Sequence, residues 1–206
     1  MQPHPGRTTD PLLGKMWKTK SARFNAHTRL KAKQSLSTTA TSFLAFYLVI
    51  VALIPLLYEA SLPPGGPKFL SVVSLIISIF LIIITLLESS KNYSGEADRM
   101  QKCALEISDI YNQFQALILE EANSRRPEFS ANYSEILKTH QLNHKDVDYI
   151  RFELMFHKDM QIGRFSLALM FIRYVALIVA EYWLYFVLIL GPMVLGYFYR
   201  SELAGC

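Results

Sequence analysis

The sequence predicts an all-α integral membrane protein: an N-terminal transmembrane helical hairpin, a cytoplasmic helical region with a long heptad helix, and a third, C-terminal transmembrane helix. Three observations predict it. Two uncharged apolar runs, residues 34–58 and 69–87, are separated only by Glu59-Ala-Ser-Leu-Pro-Pro-Gly-Gly-Pro-Lys68. From Tyr93 onward, apolar residues recur in strict steps of four and three. A last uncharged run, residues 182–199, carries Tyr182, Trp183 and Tyr185 at one end and Tyr197, Phe198 and Tyr199 at the other.

A hydrocarbon core about 30 Å thick needs roughly 20 apolar residues of helix at about 1.5 Å each. The first run exceeds that and spans even with tilt; the second just spans. An unpaired backbone group costs several kcal/mol in lipid, so both runs are expected to be helical. The first run is longer than the ~7–15-residue core of a signal peptide, and some thirty residues precede it.

Before the hairpin stand Arg7, Lys15, Lys18, Lys20, Arg23, Arg29, Lys31 and Lys33 against the single acid Asp10, whereas the loop carries one base and one acid. Basic residues flanking a span stay in the cytoplasm. The N-terminus is therefore expected inside, with Arg23, Arg29, Lys31 and Lys33 setting topology and touching anionic lipid. The net charge of +4 comes from this arm, since residues 88–164 hold ten bases and thirteen acids. Lipid contact explains the arm more simply than nucleic-acid binding does.

Residues 1–17, with Pro3, Pro5, Gly6, Pro11 and Gly14, read as an irregular tail. A basic helix from residue 18 then leads into the first span, and residues 18–124 form one unit of basic helix, hairpin and heptad helix. Beyond its polar start at Ser37, Thr38, Thr39 and Thr41, the first span reads as a plain lipid-facing anchor. The second span differs. Ser71, Ser74, Ser78 and Thr85 fall within a narrow arc at about 100° per residue, Ser89 extends it, and Leu81 and Ile82 interrupt it. Such a line either packs helices closely or lines a pore with an apolar constriction.

Tyr93, Ala97, Met100, Ala104, Ile107, Tyr111, Phe114 and Ile118 form the heptad seam, which must be covered by a helix of the same chain or of a neighbouring subunit. Gly95 is a candidate break near the membrane surface, and Arg125-Arg126-Pro127 is expected to end the helix. Cytoplasmic helices over 125–163 follow, including one from Asn143, a candidate N-cap. Residues 164–206 form an apolar C-terminal helix with a candidate kink at Gly191-Pro192. Its first part, 165–180, contains Arg173 and reads as interfacial or packed on the hairpin; Pro192 alternatively marks a re-entrant helix and only two spans.

Little here supports catalysis. The densest polar cluster, His140 to Asp148, offers His144 and Asp148 four apart, a spacing better explained by solvation and capping than by metal ligation. Two cysteines, Cys103 and Cys206, make neither a disulfide framework nor a zinc pattern. No phosphate loop, serine elbow or charged midplane residue is present, so no catalytic residue, metal or cofactor is assigned.

Taken in order, the basic helix with Arg23, Arg29 and Lys33, the hairpin, Leu87-Glu-Ser-Ser-Lys-Asn-Tyr93, the heptad helix, Tyr133-Ser-Glu-Ile-Leu137, Asn143-His144 and Asp148-Tyr149 resemble the SLATT domain. This is a two-span effector family associated with bacterial nucleotide-second-messenger and related conflict systems; the chain is most similar to the subgroup linked to reverse-transcriptase cassettes. The resemblance covers roughly residues 18–160. It implies a multi-pass protein of the bacterial inner membrane, an antiphage effector that oligomerises and permeabilises the membrane when a partner senses infection. The implied sensor is a reverse transcriptase or a second-messenger synthase encoded nearby. The competing expectation is a membrane anchor or scaffold that recruits a cytoplasmic partner without forming a pore.

Overall fold

The computed structural model describes residues 10–57, 64–117 and 119–204. Six helices make up the described chain: α1 (Pro11–Leu57), α2 (Gly66–Ser90), α3 (Tyr93–Ala116), α4 (Leu119–His140), α5 (Asp146–Met155) and α6 (Arg164–Ala204). They fall into two contact units that cut across the linear order. The first takes residues 1–32 and 93–180; the second takes 33–92 and 181–206.

The expected irregular tail is helical from Pro11 onward, continuous with the first span. Asp10 accounts for the start: its Oδ1 accepts from the backbone N–H of Leu12 at 2.7 Å and of Leu13 at 3.3 Å. Proline immediately after such a cap is favoured, because its missing N–H would be unpaired there anyway.

In the first unit the N-terminal part of α1 is a central helix. One face, through Leu13 and Met16, packs with Cys103, Ile107 and Phe114 of α3 and with Phe129 and Tyr133 of α4. Farther along, Ala26 and Leu30 meet Tyr93, Ala97 and Met100. The two helices therefore run antiparallel, and the heptad stripe is covered inside the chain. Tyr111 is partly buried against the same cluster, while Ile118 lies outside the described residues.

Three boundaries differ from expectation. The break between α2 and α3 falls at Lys91-Asn92, where Asn92 takes a left-handed φ of 44°, and Gly95 lies inside the first turn of α3. Asparagine tolerates that conformation because its short side chain bonds locally. The heptad helix ends at Ala116, not at Arg125-Arg126-Pro127, which lie within α4. Turning back early brings Phe129 onto Phe114, ring centroids 4.9 Å apart, and Glu120 and Glu121 suit the new helix start. Finally, α5 begins at Asp146, with Lys145 rather than Asn143 at its N-cap. The Asp148 carboxylate accepts the Lys145 backbone N–H at 3.1 Å, doing from the third position what a capping side chain does from the first.

Among the described residues three helices are long and apolar enough to cross a membrane, belonging to α1, α2 and α6. Gly65, at a φ of 85° that favours glycine, precedes α2, and Pro67 sits in its first turn, where no helical N–H is lost.

Candidate functional site

The polar side chains of the second unit gather at one level. Glu88 of α2 accepts from Ser37 Oγ of α1 at 2.9 Å and from Tyr185 Oη of α6 at 2.7 Å, and pairs with Lys91. One turn before Ser37 and Tyr185, Lys33 Nζ reaches Glu181 Oε1 at 3.1 Å, both groups largely buried. In the other direction Tyr47 Oη donates to the Ile189 carbonyl at 2.7 Å. These contacts order α1 and α6 in parallel and α2 against them.

That belt sets the register of the apolar segments. Ser37 to Leu57 and Phe69 to Leu87 each leave about twenty residues on one side of it, roughly 30 Å of helix and the thickness of a hydrocarbon core, and from Tyr185 a shorter uncharged run reaches to Arg200. The first segment is thus more than a plain anchor: Ser37 and Tyr47 are its polar ties to the other two. A partly buried glutamate shared by three helices was invisible in the sequence because Ser37, Glu88 and Tyr185 are far apart along the chain.

The hydroxyl line on α2 divides. Ser74, Ser78 and Leu81 are partly covered, on the flank of the packed face, whereas Ser71, Ile82, Thr85 and Ser89 are exposed. Ser71 and Ser78 each donate to a carbonyl four residues back in their own helix, Pro67 at 2.9 Å and Ser74 at 2.8 Å. Such back-bonding lets hydroxyls sit in an apolar setting without a partner helix.

The basic residues of the arm are placed differently from the lipid-contact expectation. Arg29 is only 6% exposed and grips Asp148, 2% exposed, through Nε at 2.8 Å and Nη2 at 3.1 Å. Asn25 Nδ2 donates to the Asp148 carbonyl at 3.0 Å. Arg23, 3% exposed, donates through Nη2 to the Leu142 carbonyl at 3.1 Å, and its Nε and Nη1 are buried without a partner. Lys20 lies over the Tyr111 ring, 3.7 Å from its centroid, and burial lowers its pKa. Lys31 pairs with Asp98 at the surface. Thus Arg23 and Arg29 are inward-facing, because this part of α1 is buried on more than one side. Sequence periodicity held a signal for it: Lys20 and Arg23 continue the line of Leu13 and Met16 toward Leu30.

Around Arg23 the titrating groups respond to burial first. Burial pushes the Cys103 thiol up, with Arg23 pulling the other way. His144 is pushed down by burial and then by Arg23, partly offset by Asp148 and Asp146. Nearby, His140 Nε2 meets Glu106 at 2.7 Å. Among the described residues, no three His, Cys, Asp or Glu side chains converge as a metal site.

A family model described as SMODS and SLOG-associating 2TM effector domain family 5 matches residues 8–198. The chain belongs to this family. The matched region takes in all six helices, including most of α6, although the family's description counts two spans. As a member of the SLATT family the chain is a membrane protein of the effector class. No curated protein and no solved structure matches the chain.

Proposed function

We propose that this SLATT protein is the membrane effector of an antiphage defence system in the bacterial inner membrane, with its N-terminus cytoplasmic, and that it acts by oligomerising and permeabilising that membrane. The trigger reaches it through the helices of the first unit, from a partner encoded nearby: a second-messenger synthase or a reverse transcriptase. The observation that carries the reading is the belt. It ties three membrane-length helices at one level through Glu88 and leaves the flank of α2, with Ser71, Thr85 and Ser89, facing away from the unit. One such unit encloses no channel, so a conducting path requires several copies arranged with these flanks inward. A trigger shifts the closed–open balance only through different affinity for the two states.

The test is induced expression in cells loaded with a potential-sensitive dye. Depolarisation that precedes growth arrest is expected. Thr85→Leu should reduce it, and Ile82→Ser, which wets the constriction on the same exposed flank, should increase it. Growth arrest with the membrane potential intact would overturn pore formation and leave the scaffold alternative.

A further inference from the structure

Buried charge in the first unit does not balance. Lys20, Arg23 and Arg29 are 5%, 3% and 6% exposed, and the one buried acid among the described residues is Asp148. Arg29 takes that acid with two bonds. Lys20 has the face of the Tyr111 ring and a pKa lowered by burial, so it meets burial by giving up its proton more readily. Arg23 has no such escape, because a guanidinium stays protonated in proteins. Its Nη2 donates to the Leu142 carbonyl at 3.1 Å, while Nε and Nη1 are inaccessible and have no partner.

The groups around Arg23 supply no negative charge. Its charge acts on Cys103 of α3, Tyr133 of α4 and His144 ahead of α5. Burial pushes the thiol and the phenol up and the imidazole down, so all three are uncharged at neutral pH. The carboxylates that act on the same groups are engaged with other partners: Asp148 with Arg29, Asp146 with Arg173 and Glu106 with His140. A buried charge left unpaired is costly, and water meets its hydrogen bonds without neutralising it. The cover over Arg23 is thin. Residues 141–145, between α4 and α5, are not helical, and Gln141 takes a left-handed φ of 45°. Leu142 is partly buried against both clusters of the first unit, with Gln141 and Asn143 exposed on either side of it. The guanidinium therefore lies just beneath the surface, under a linker that no helix stiffens.

We infer that Arg23 anchors a binding site for a small oxyanion of the phosphate class, admitted when the linker 141–145 lifts. A tetrahedral oxyanion offers several acceptor oxygens to Nε and Nη1 and supplies the missing negative charge. A carboxylate of another protein would have to bring its own backbone inside the unit to reach these nitrogens; a free ion does not. The site is bordered by α1, by Cys103 of α3, by Tyr133 of α4 and by the linker, so an ion held there ties these parts of the first unit together. The inference goes beyond the proposed function. It concerns the first unit alone and holds whether or not the membrane is permeabilised.

The test titrates inorganic phosphate into the full chain in detergent, with ionic strength held constant by chloride, and follows melting by circular dichroism. The melting temperature should climb along a saturation curve, by roughly 5–11 °C at a hundredfold excess over Kd. Equilibrium dialysis with radiolabelled phosphate should find one ion per chain. Arg23→Met should abolish the response. Arg23→Lys keeps the charge and loses the planar donor set, so it should weaken the response several-fold, and it reports even where Arg23→Met fails to fold. Arg125→Met, at the surface, should leave the response unchanged. Glycerol phosphate separates the sources: a response to it as well assigns the site to an esterified phosphoryl group, and a response to inorganic phosphate alone assigns it to the free ion. An unchanged melting temperature with no phosphate bound means that water alone serves the guanidinium, and it would overturn the inference. A response that survives in Arg23→Met, or several ions per chain, would overturn it as well.

Discussion

Breaking the Arg29–Asp148 pair should unfold the docking of α5 on α1. The Asp148 carboxylate accepts two bonds from Arg29 and one from the Lys145 backbone, and both side chains are nearly inaccessible. Asp148→Asn therefore strands a guanidinium in the interior and weakens the start of α5. Removing one partner of a buried pair costs about 3–5 kcal/mol. At roughly 2–4 °C per kcal/mol for a chain of this size, melting should fall by roughly 6–20 °C. Arg29→Met should do comparable damage from the other side. The double variant Arg29→Met/Asp148→Leu should lose less than the sum of the two, because neither charge is then left buried alone. Trp17 is the reporter: its ring stands edge-on to Phe152 and Phe156, with centroids 4.9 and 4.8 Å away. In a Trp183→Phe chain in detergent, Trp17 emission follows the departure of α5 on heating. Single variants that melt within about 2 °C of the parent, or a double variant that is fully additive, would refute the reasoning.

Tyr185→Phe removes a bond to the Glu88 carboxylate and should cost about 1.5–3 kcal/mol, whereas Tyr47→Phe removes one to a neutral carbonyl and should cost about 0.5–1.5 kcal/mol; equal losses in thermal unfolding would contradict this ranking. Pro127→Ala restores an N–H inside α4. It should stabilise by roughly 2 kcal/mol, about 3 kcal/mol of helix preference less the entropy proline removes from the unfolded chain, read as a raised melting temperature. His144, whose folded pKa lies below its ordinary value of 6.5, takes up a proton more readily when unfolded. Its contribution is complete above pH about 6.5 and is lost as pH falls through that value toward the folded pKa. Thermal scans at pH 7.5 and 5.5 should therefore show a smaller drop for His144→Gln than for the parent.

Much of the architecture follows from local pattern. An uncharged run of sufficient length must be helical in lipid, whatever its neighbours, which is why α2 and the apolar parts of α1 and α6 were legible. The seam from Tyr93 to Phe114 was legible for the same kind of reason, since its periodicity demands a covering helix. What covers it was not, because periodicity names a face and no partner. The helix ends at Ala116 and Lys145 also escaped, since each depends on a distant contact: Phe129 reaching Phe114 and Asp148 reaching back to Lys145.

The charges show the same division most clearly. By itself the sequence determined that α1 joins a basic stretch to an apolar one, that two further apolar helices follow, and that charge is kept out of the hydrocarbon runs. Only the tertiary structure decided what the basic residues do. Lys31 pairs at the surface, Lys33 joins the belt, and Arg29 and Arg23 are buried within the first unit. The reason is physical: a charge count is a sum over residues, whereas burial depends on which helices pack around each one. Asp148 lies more than a hundred residues from Arg29, and no local rule brings the two together.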